Sequence, residues 1–270
     1  MTIHPDLHTA FDQGHALKII SGLTNFDASN VLAVAKAAQK GGATFVDIAA
    51  DADLVRQVNQ HISLPICVSA IDPEAFLAPV KAGATLIEIG NFDAFYAQGL
   101  TFGADDVRAL TQRTRDLLPH ITLSVTVPHA LPLSEQVQLA EDLVAMGATI
   151  IQTEGATSSE PTHPGSIGLI EKATPTLAAA HAISRAVQVP VLCASGISNV
   201  TAPMAIAAGA AGVGVGSAVN KLNSEIAMVA AVRSLREALQ TVTRVTANVK
   251  VVETREGTLW LYWVSRYADG

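Results

Sequence analysis

Eight times along this chain, a short run of aliphatic and β-branched residues gives way to a polar turn and then to an Ala- and Leu-rich segment with helical spacing. The runs are Leu17–Gly22, Thr44–Ala49, Pro65–Ala70, Thr85–Gly90, Ile121–Val127, Thr149–Gly155, Pro190–Gly196 and Gly212–Val219. Most of the intervening helices stop at glycines, in QKGGATF, KAGATL, AMGATI and AAGAAGV, where a left-handed residue ends a helix at no steric cost. Strands alternating with helices form a parallel sheet, because each crossover returns the chain to the same edge. Eight evenly spaced units in 270 residues predict a closed (β/α)8 TIM barrel rather than an open doubly wound sheet. The barrel is expected over residues 1–240, with 241–270 as an extension packed on it and not a separate domain. That extension contains two β-like runs around Glu256-Gly257, which predicts a hairpin. It also holds both tryptophans and two of the three tyrosines, a composition suited to covering one barrel end or to contact in a homo-oligomer.

Composition narrows the function. The net charge is −7 and no basic stretch stands out, which argues against nucleic acid as the main partner. No apolar run approaches the length of a membrane span, and the first residues lack the layout of a signal peptide. Cys67 and Cys193 lie in apolar runs, where buried, reduced thiols are expected rather than a disulfide or a metal site. A soluble cytoplasmic protein with no membrane partner and no metal is the expectation.

Several strands carry a polar residue in an otherwise apolar run: Lys18, Asp47, Ser69, Glu88, Ser124, Thr126, Gln152, Glu154 and Ser195. Outward positions face the apolar undersides of helices, so the charged members are expected to point into the barrel. In one account, Lys18, Asp47 and Glu88 form an ion network that merely fixes the interior. In the other, burial lowers the Lys18 pKa and makes it a nucleophile or base, with a carboxylate as proton shuttle. Glu154, at a strand end, is a stronger candidate for chemistry than mid-strand Asp47, which is expected among the other ligand-face residues. The tripeptide NFD follows two strands and puts Asn25, Asp27, Asn91 and Asp93 on the ligand face, unless they serve as ordinary turn and cap residues. His129 sits in a proline-stiffened loop past the fifth strand and is a candidate acid or base; His163 is a weaker one. The candidate catalytic set is therefore Lys18, Glu88, Glu154 and His129. The Pro-, Ser- and Thr-rich segment Ala156–Thr176 is expected to be a long loop, of the kind that closes over a substrate.

The stretch AGVGVGSAV has glycine at every second position. In barrels of this kind the ends of strands seven and eight often build a phosphate cup from bared backbone amides. Gly196, Ile197 and Ser198 on one strand end, with Gly216 and Ser217 on the next, are the candidate phosphate-binding residues. Gly212 and Gly214 are expected to serve close packing against helices.

The stretches LKIISGLTNFD, GGATFVDIAAD, LPICVSAIDPE, LIEIGNFDAFYAQG, VTVPHALPLSEQVQLAEDL and IIQTEG together resemble the conserved hypothetical chloroplast reading frame 23 family of algal plastids and cyanobacteria. The resemblance runs from about Leu17 through the eighth strand. It implies a barrel related to the class I aldolase and ribulose-phosphate-binding superfamily, and a place in the cyanobacterial cytosol or plastid stroma. It carries over no reaction and no catalytic residue. Three functions stay open: a lyase or isomerase acting on a small phosphorylated metabolite without a cofactor; an FMN oxidoreductase using the same cup; and a non-catalytic metabolite sensor.

Overall fold

The computed structural model describes residues 5–96, 98–155, 161–242, 248–253 and 259–264. Eight parallel strands close into a barrel: β1 (Ala16–Ile20), β2 (Phe45–Ala49), β3 (Ile66–Ala70), β4 (Leu86–Ile89), β5 (Thr122–Val127), β6 (Ile150–Thr153), β7 (Val191–Ala194) and β8 (Gly212–Val215). Pairing of β1 with β8, Lys18 opposite Gly214, completes the circle. The helix Ala28–Gly41 illustrates the local logic. Asp27 caps it by accepting the Ser29 and Asn30 amides, Val31, Val34, Ala35 and Ala38 face the core, and Gly42 ends it at φ 84°.

Each strand sends alternate side chains inward. Lowest in the barrel lies an apolar layer that includes Ala16, Phe45, Cys67, Leu86, Ile150 and Leu192. Leu7 and Phe11 of the helix Pro5–Asp12 pack into this layer and stopper that end. Both cysteines are buried and free. The glycines of β8 also point inward. A Cβ on Gly212 would lie 2.4 Å from the Ala16 carbonyl oxygen, and one on Gly214 would lie 3.0 Å from the Ala194 Cβ. Their packing partners are therefore neighbouring strands across the interior, not the helices expected from the sequence.

Above the apolar layer sits an ionic one. The Lys18 Nζ lies 2.7 Å from Glu88 Oε2 and 3.3 Å from Asp47 Oδ2, all three side chains being buried. It also donates to Gln152 Oε1 at 3.0 Å. Ser69 donates to Asp47 at 2.5 Å, Ser124 to Glu88 at 2.7 Å, and Gln152 Nε2 to Glu88 at 2.9 Å. Burial pulls the Lys18 pKa down, but the adjacent Asp47 and Glu88 charges outweigh it and hold the ammonium well above its ordinary value. Burial, with Glu88 adding, pushes the Asp47 carboxyl up to about 6 despite the attraction of Lys18. The expectation of a Lys18 with lowered pKa is thus reversed, because its carboxylate neighbours favour the charged form.

Two further expectations are corrected. The eighth strand ends at Val215, and Ser217–Asn220 forms a short helix. The segment expected as a loop to Thr176 is helical from Gly165, within a helix that runs to Ala186 through Pro175. Its buried stripe, including Gly168, Ala173, Thr176, Ala179 and Ile183, overrides the local Pro, Ser and Thr propensities. Residues 156–160 of the expected lid lie outside the described residues. In the extension, β9 (Asn248–Glu253) and β10 (Leu259–Val264) pair antiparallel, with Trp260 opposite Val252. The turn around Glu256-Gly257, and with it the expected packing on the barrel, lies outside the described residues. Among those described, no helix is long and apolar enough to cross a membrane.

Three outcomes follow. Gly212→Ala must displace β1 backbone, and a loss of about 1–3 kcal/mol is expected in denaturant unfolding. Lys18→Met strands two buried carboxylates and is expected to cost about 3–5 kcal/mol in the same assay. Borohydride reduction with sugar phosphates leaves Lys18 unmodified in the folded protein, as peptide mass spectrometry will show.

Candidate active site at the barrel mouth

Above the ionic layer, at the C-terminal ends of the strands, the barrel opens into a cavity of about 400 Å³. Gln152 and Thr126 form part of its floor. Lys18, Glu88 and Asp47 lie beneath that floor. Asp47, expected on the ligand face, is a network residue instead, because its buried carboxylate turns to the Lys18 ammonium 3.3 Å away. Glu88 reaches the mouth through Asn91, whose Nδ2 donates to its Oε1 at 3.3 Å, and through Gln152, whose Nε2 donates to the same oxygen at 2.9 Å.

One side of the cavity carries an acidic and imidazole cluster. Glu154 is almost fully buried, and its Oε1 accepts the Asp93 amide at 2.9 Å. Its Oε2 accepts the Tyr96 hydroxyl at 3.0 Å and lies 3.1 Å from His129 Nδ1. The same Nδ1 lies 3.3 Å from Asp93 Oδ1. Hydrogen bonding to Glu154 raises the His129 pKa, opposed by burial and helped by the Asp93 charge. Burial and then Glu154 hold the Tyr96 phenol well above its ordinary value. Ser195 Oγ lies 3.1 Å from Asp93 Oδ2 and 2.8 Å from the Gly155 carbonyl oxygen. The strand ends of β4, β5, β6 and β7 thus converge on one point. Two residues there hold left-handed backbone without being glycine, Asn91 at φ 60° and Ser195 at φ 76°. Both border the cavity, and strain of this kind gathers at functional sites.

The opposite side is the expected cup. Gly196, Ile197, Gly216 and Ser217 all border the cavity. The two glycines differ in kind. Gly196 has φ 71°, and a Cβ there would lie 2.7 Å from the Lys172 carbonyl oxygen, so packing alone demands glycine. A Cβ on Gly216 would meet Asn220 and Ile20 at 3.7 Å, an ordinary contact distance, so packing there does not demand glycine. Ser198 departs from expectation. Its amide donates to Thr201 Oγ1 at 2.9 Å, which commits that donor to the following turn.

The two NFD tripeptides also part company. Asp93 and Asn91 border the cavity. Asn25 folds back on Ser21 Oγ and Asn30 Oδ1, and Asp27 is an exposed helix cap. The first copy is a turn and a cap, because its Phe26 points to solvent while Phe92 of the second is buried. His163 pairs with Glu171, both away from this cluster in sequence and partly exposed.

Sequence reasoning missed three contributors. Lys172 and Lys221 border the cavity beside the cup, and Tyr96 braces Glu154. Lys172 lay hidden in the stretch taken for a loop; a helical phase through Gly168, Ala173 and Thr176 would have brought it to the strand ends. Lys221 directly follows the short helix that was taken for strand.

The comparisons with known proteins agree with this architecture. Matches by structure include GGGPS from Thermoplasma volcanium, with a TM-score of 0.63 at 11% identity over 90% of this chain and 99% of that one. Thiamine phosphate pyrophosphorylase from Pyrococcus furiosus gives a TM-score of 0.55 at 18% identity, covering 85% and 98%. A 3-hexulose-6-phosphate synthase gives 0.57 at 16% identity, covering 83% and 99%. At such identities the likeness is one of fold. By sequence, an uncharacterized protein ycf23 of Porphyra purpurea is 37% identical over 249 residues, 92% of this chain and 94% of its own. Another, of Cyanophora paradoxa, is 46% identical over 218 residues, 80% and 89% of the two chains. With residues 3–245 matching the family described as "Protein of unknown function (DUF561)", this chain belongs to that family.

Proposed function

We propose that this chain is an enzyme that binds a small phosphorylated metabolite across the barrel mouth and acts on it as a lyase or isomerase. The observation that carries the reading is the polarity of one cavity. The open backbone at Gly216 and the lysines 172 and 221 border one side, and Asp93 and Glu154 border the other. Glycine-bared amides with ammonium groups suit a phosphate dianion. Carboxylates beside an imidazole suit proton transfer, or stabilisation of charge, at the carbon end of the same molecule. Three structural neighbours point the same way by their names: one is a thiamine phosphate pyrophosphorylase, one a 3-hexulose-6-phosphate synthase, and a geranylgeranylglyceryl phosphate synthase was captured with its substrate sn-glycerol-1-phosphate.

Calorimetric titration with inorganic phosphate, glycerol phosphate and sugar phosphates tests the reading. The phosphate esters are expected to bind, and Lys172→Ala and Lys221→Ala each to weaken them about tenfold, as the loss of one charge-assisted bond predicts. Gly216→Ala is expected to weaken them several-fold while leaving the melting temperature unchanged, because its methyl meets Asn220 and Ile20 only at ordinary contact distance. Absence of binding to the folded protein would refute the proposal. Binding without turnover of any ester would make the chain a sensor, and a yellow preparation would turn the cup over to FMN.

A further inference from the structure

Asp93, His129 and Glu154 each offer a ligand atom, and these atoms all lie within 4.8 Å of one another. We propose that the three side chains bind a divalent transition-metal ion at the barrel mouth. The inference deepens the proposed function and rests on it for one point only, that this is the reacting end of the cavity.

Spacing is the first argument. A zinc ion holds nitrogen and oxygen ligands at about 2.0–2.2 Å, which sets tetrahedral neighbours about 3.3–3.6 Å apart. His129 Nδ1 stands 3.1 Å from Glu154 Oε2 and 3.3 Å from Asp93 Oδ1, so small side-chain shifts make room for the ion. Charge is the second. Two carboxylates meet around one nitrogen, and that nitrogen has at most one proton to donate. Lys18, the buried cation below, is already matched by Glu88 and Asp47. A divalent ion in place of the Nδ1 proton neutralises both carboxylates at once; the proton leaves to solvent and the freed lone pair becomes a ligand.

Orientation is the third argument. The Asp93 amide holds Glu154 Oε1, and Ser195 Oγ lies against Asp93 Oδ2. Each carboxylate is thereby gripped by its far oxygen and turns the other toward the imidazole. Such outer contacts are what orient metal ligands. One nitrogen and two oxygens suit zinc, manganese or ferrous iron better than magnesium or calcium. Asp93 and Glu154 border the cavity, so the remaining coordination positions open toward a bound substrate, whose carbonyl or hydroxyl oxygen the ion would polarise.

The test uses the full chain stripped of metal and titrated with Zn²⁺ and with Mn²⁺, without phosphate. One equivalent per chain is expected, with proton release and a raised melting temperature. Asp93→Asn, Glu154→Gln and His129→Asn, checked for folding by circular dichroism, are expected to weaken uptake at least about 100-fold. The visible spectrum of the Co²⁺-loaded natural chain reads the coordination without any variant, and bands of a low-coordinate nitrogen and oxygen site are expected. Failure of the folded protein to take up metal, uptake undiminished in all three variants, or only the aqua-ion spectrum of cobalt would overturn the proposal. Phosphate binding measured in the presence of chelator is a separate readout. Its loss alone removes the metabolite reading, and loss of metal uptake alone removes the metal.

Discussion

Lys18 is sealed inside the barrel between an apolar floor and a polar mouth, and the strands around it are arranged to keep it charged. Glu88 and Asp47 come from β4 and β2, Gln152 from β6, and the hydroxyls of Ser69 and Ser124 from β3 and β5. A buried ammonium is tolerable only when its partners are present and correctly turned. Five neighbouring strands are therefore held to one relative height by a single charge. The same contacts fix Gln152, which is part of the cavity floor, and through Asn91 they reach the loop that delivers Asp93. The geometry of the mouth thus inherits its rigidity from a layer that no ligand touches.

Much of the scaffold could be read in advance. Periodicity and glycine stops located all eight strands, and inward parity located Lys18, Asp47, Glu88 and Glu154, because a charge cannot face the helix shell. The strand-end glycines and His129 were legible for the same reason: few residue types suit a crowded rim. Other features were illegible because they depend on tertiary partners. Pro175 and its Ser/Thr neighbours speak for a loop, and only burial of Thr176 and Ala179 makes them a helix. The direction of the Lys18 pKa shift depends on how close two carboxylates come, which spacing along the chain does not encode. Ser198 and Asp27 were drawn to the ligand face by their residue types, yet each is committed to a local turn or cap.

The fold itself hosts many chemistries, so the likeness to phosphate-handling synthases weighs less than the cavity does. What singles out this mouth is the contrast between its walls. Glycine serves different purposes on the cup side: at Gly196 it admits a helix carbonyl, and at Gly216 packing would accept a methyl, so the bare backbone is not a packing requirement. On the other wall, the loops after β4 and β5 bring their polar groups to Glu154, Ser195 reaches Asp93, and the non-glycine residues Asn91 and Ser195 hold costly backbone there.

The helix Pro5–Asp12 adds a consequence of another sort. With Leu7 and Phe11 pressed into the lowest layer, the barrel is a blind well and not a tunnel. Whatever reaches Glu154 must pass the rim on its way in and retrace that route on its way out. Entry and exit share one doorway, so any molecule seated near Gly216 would bar the next arrival, and traffic through the rim would set a ceiling on the rate of whatever happens below it.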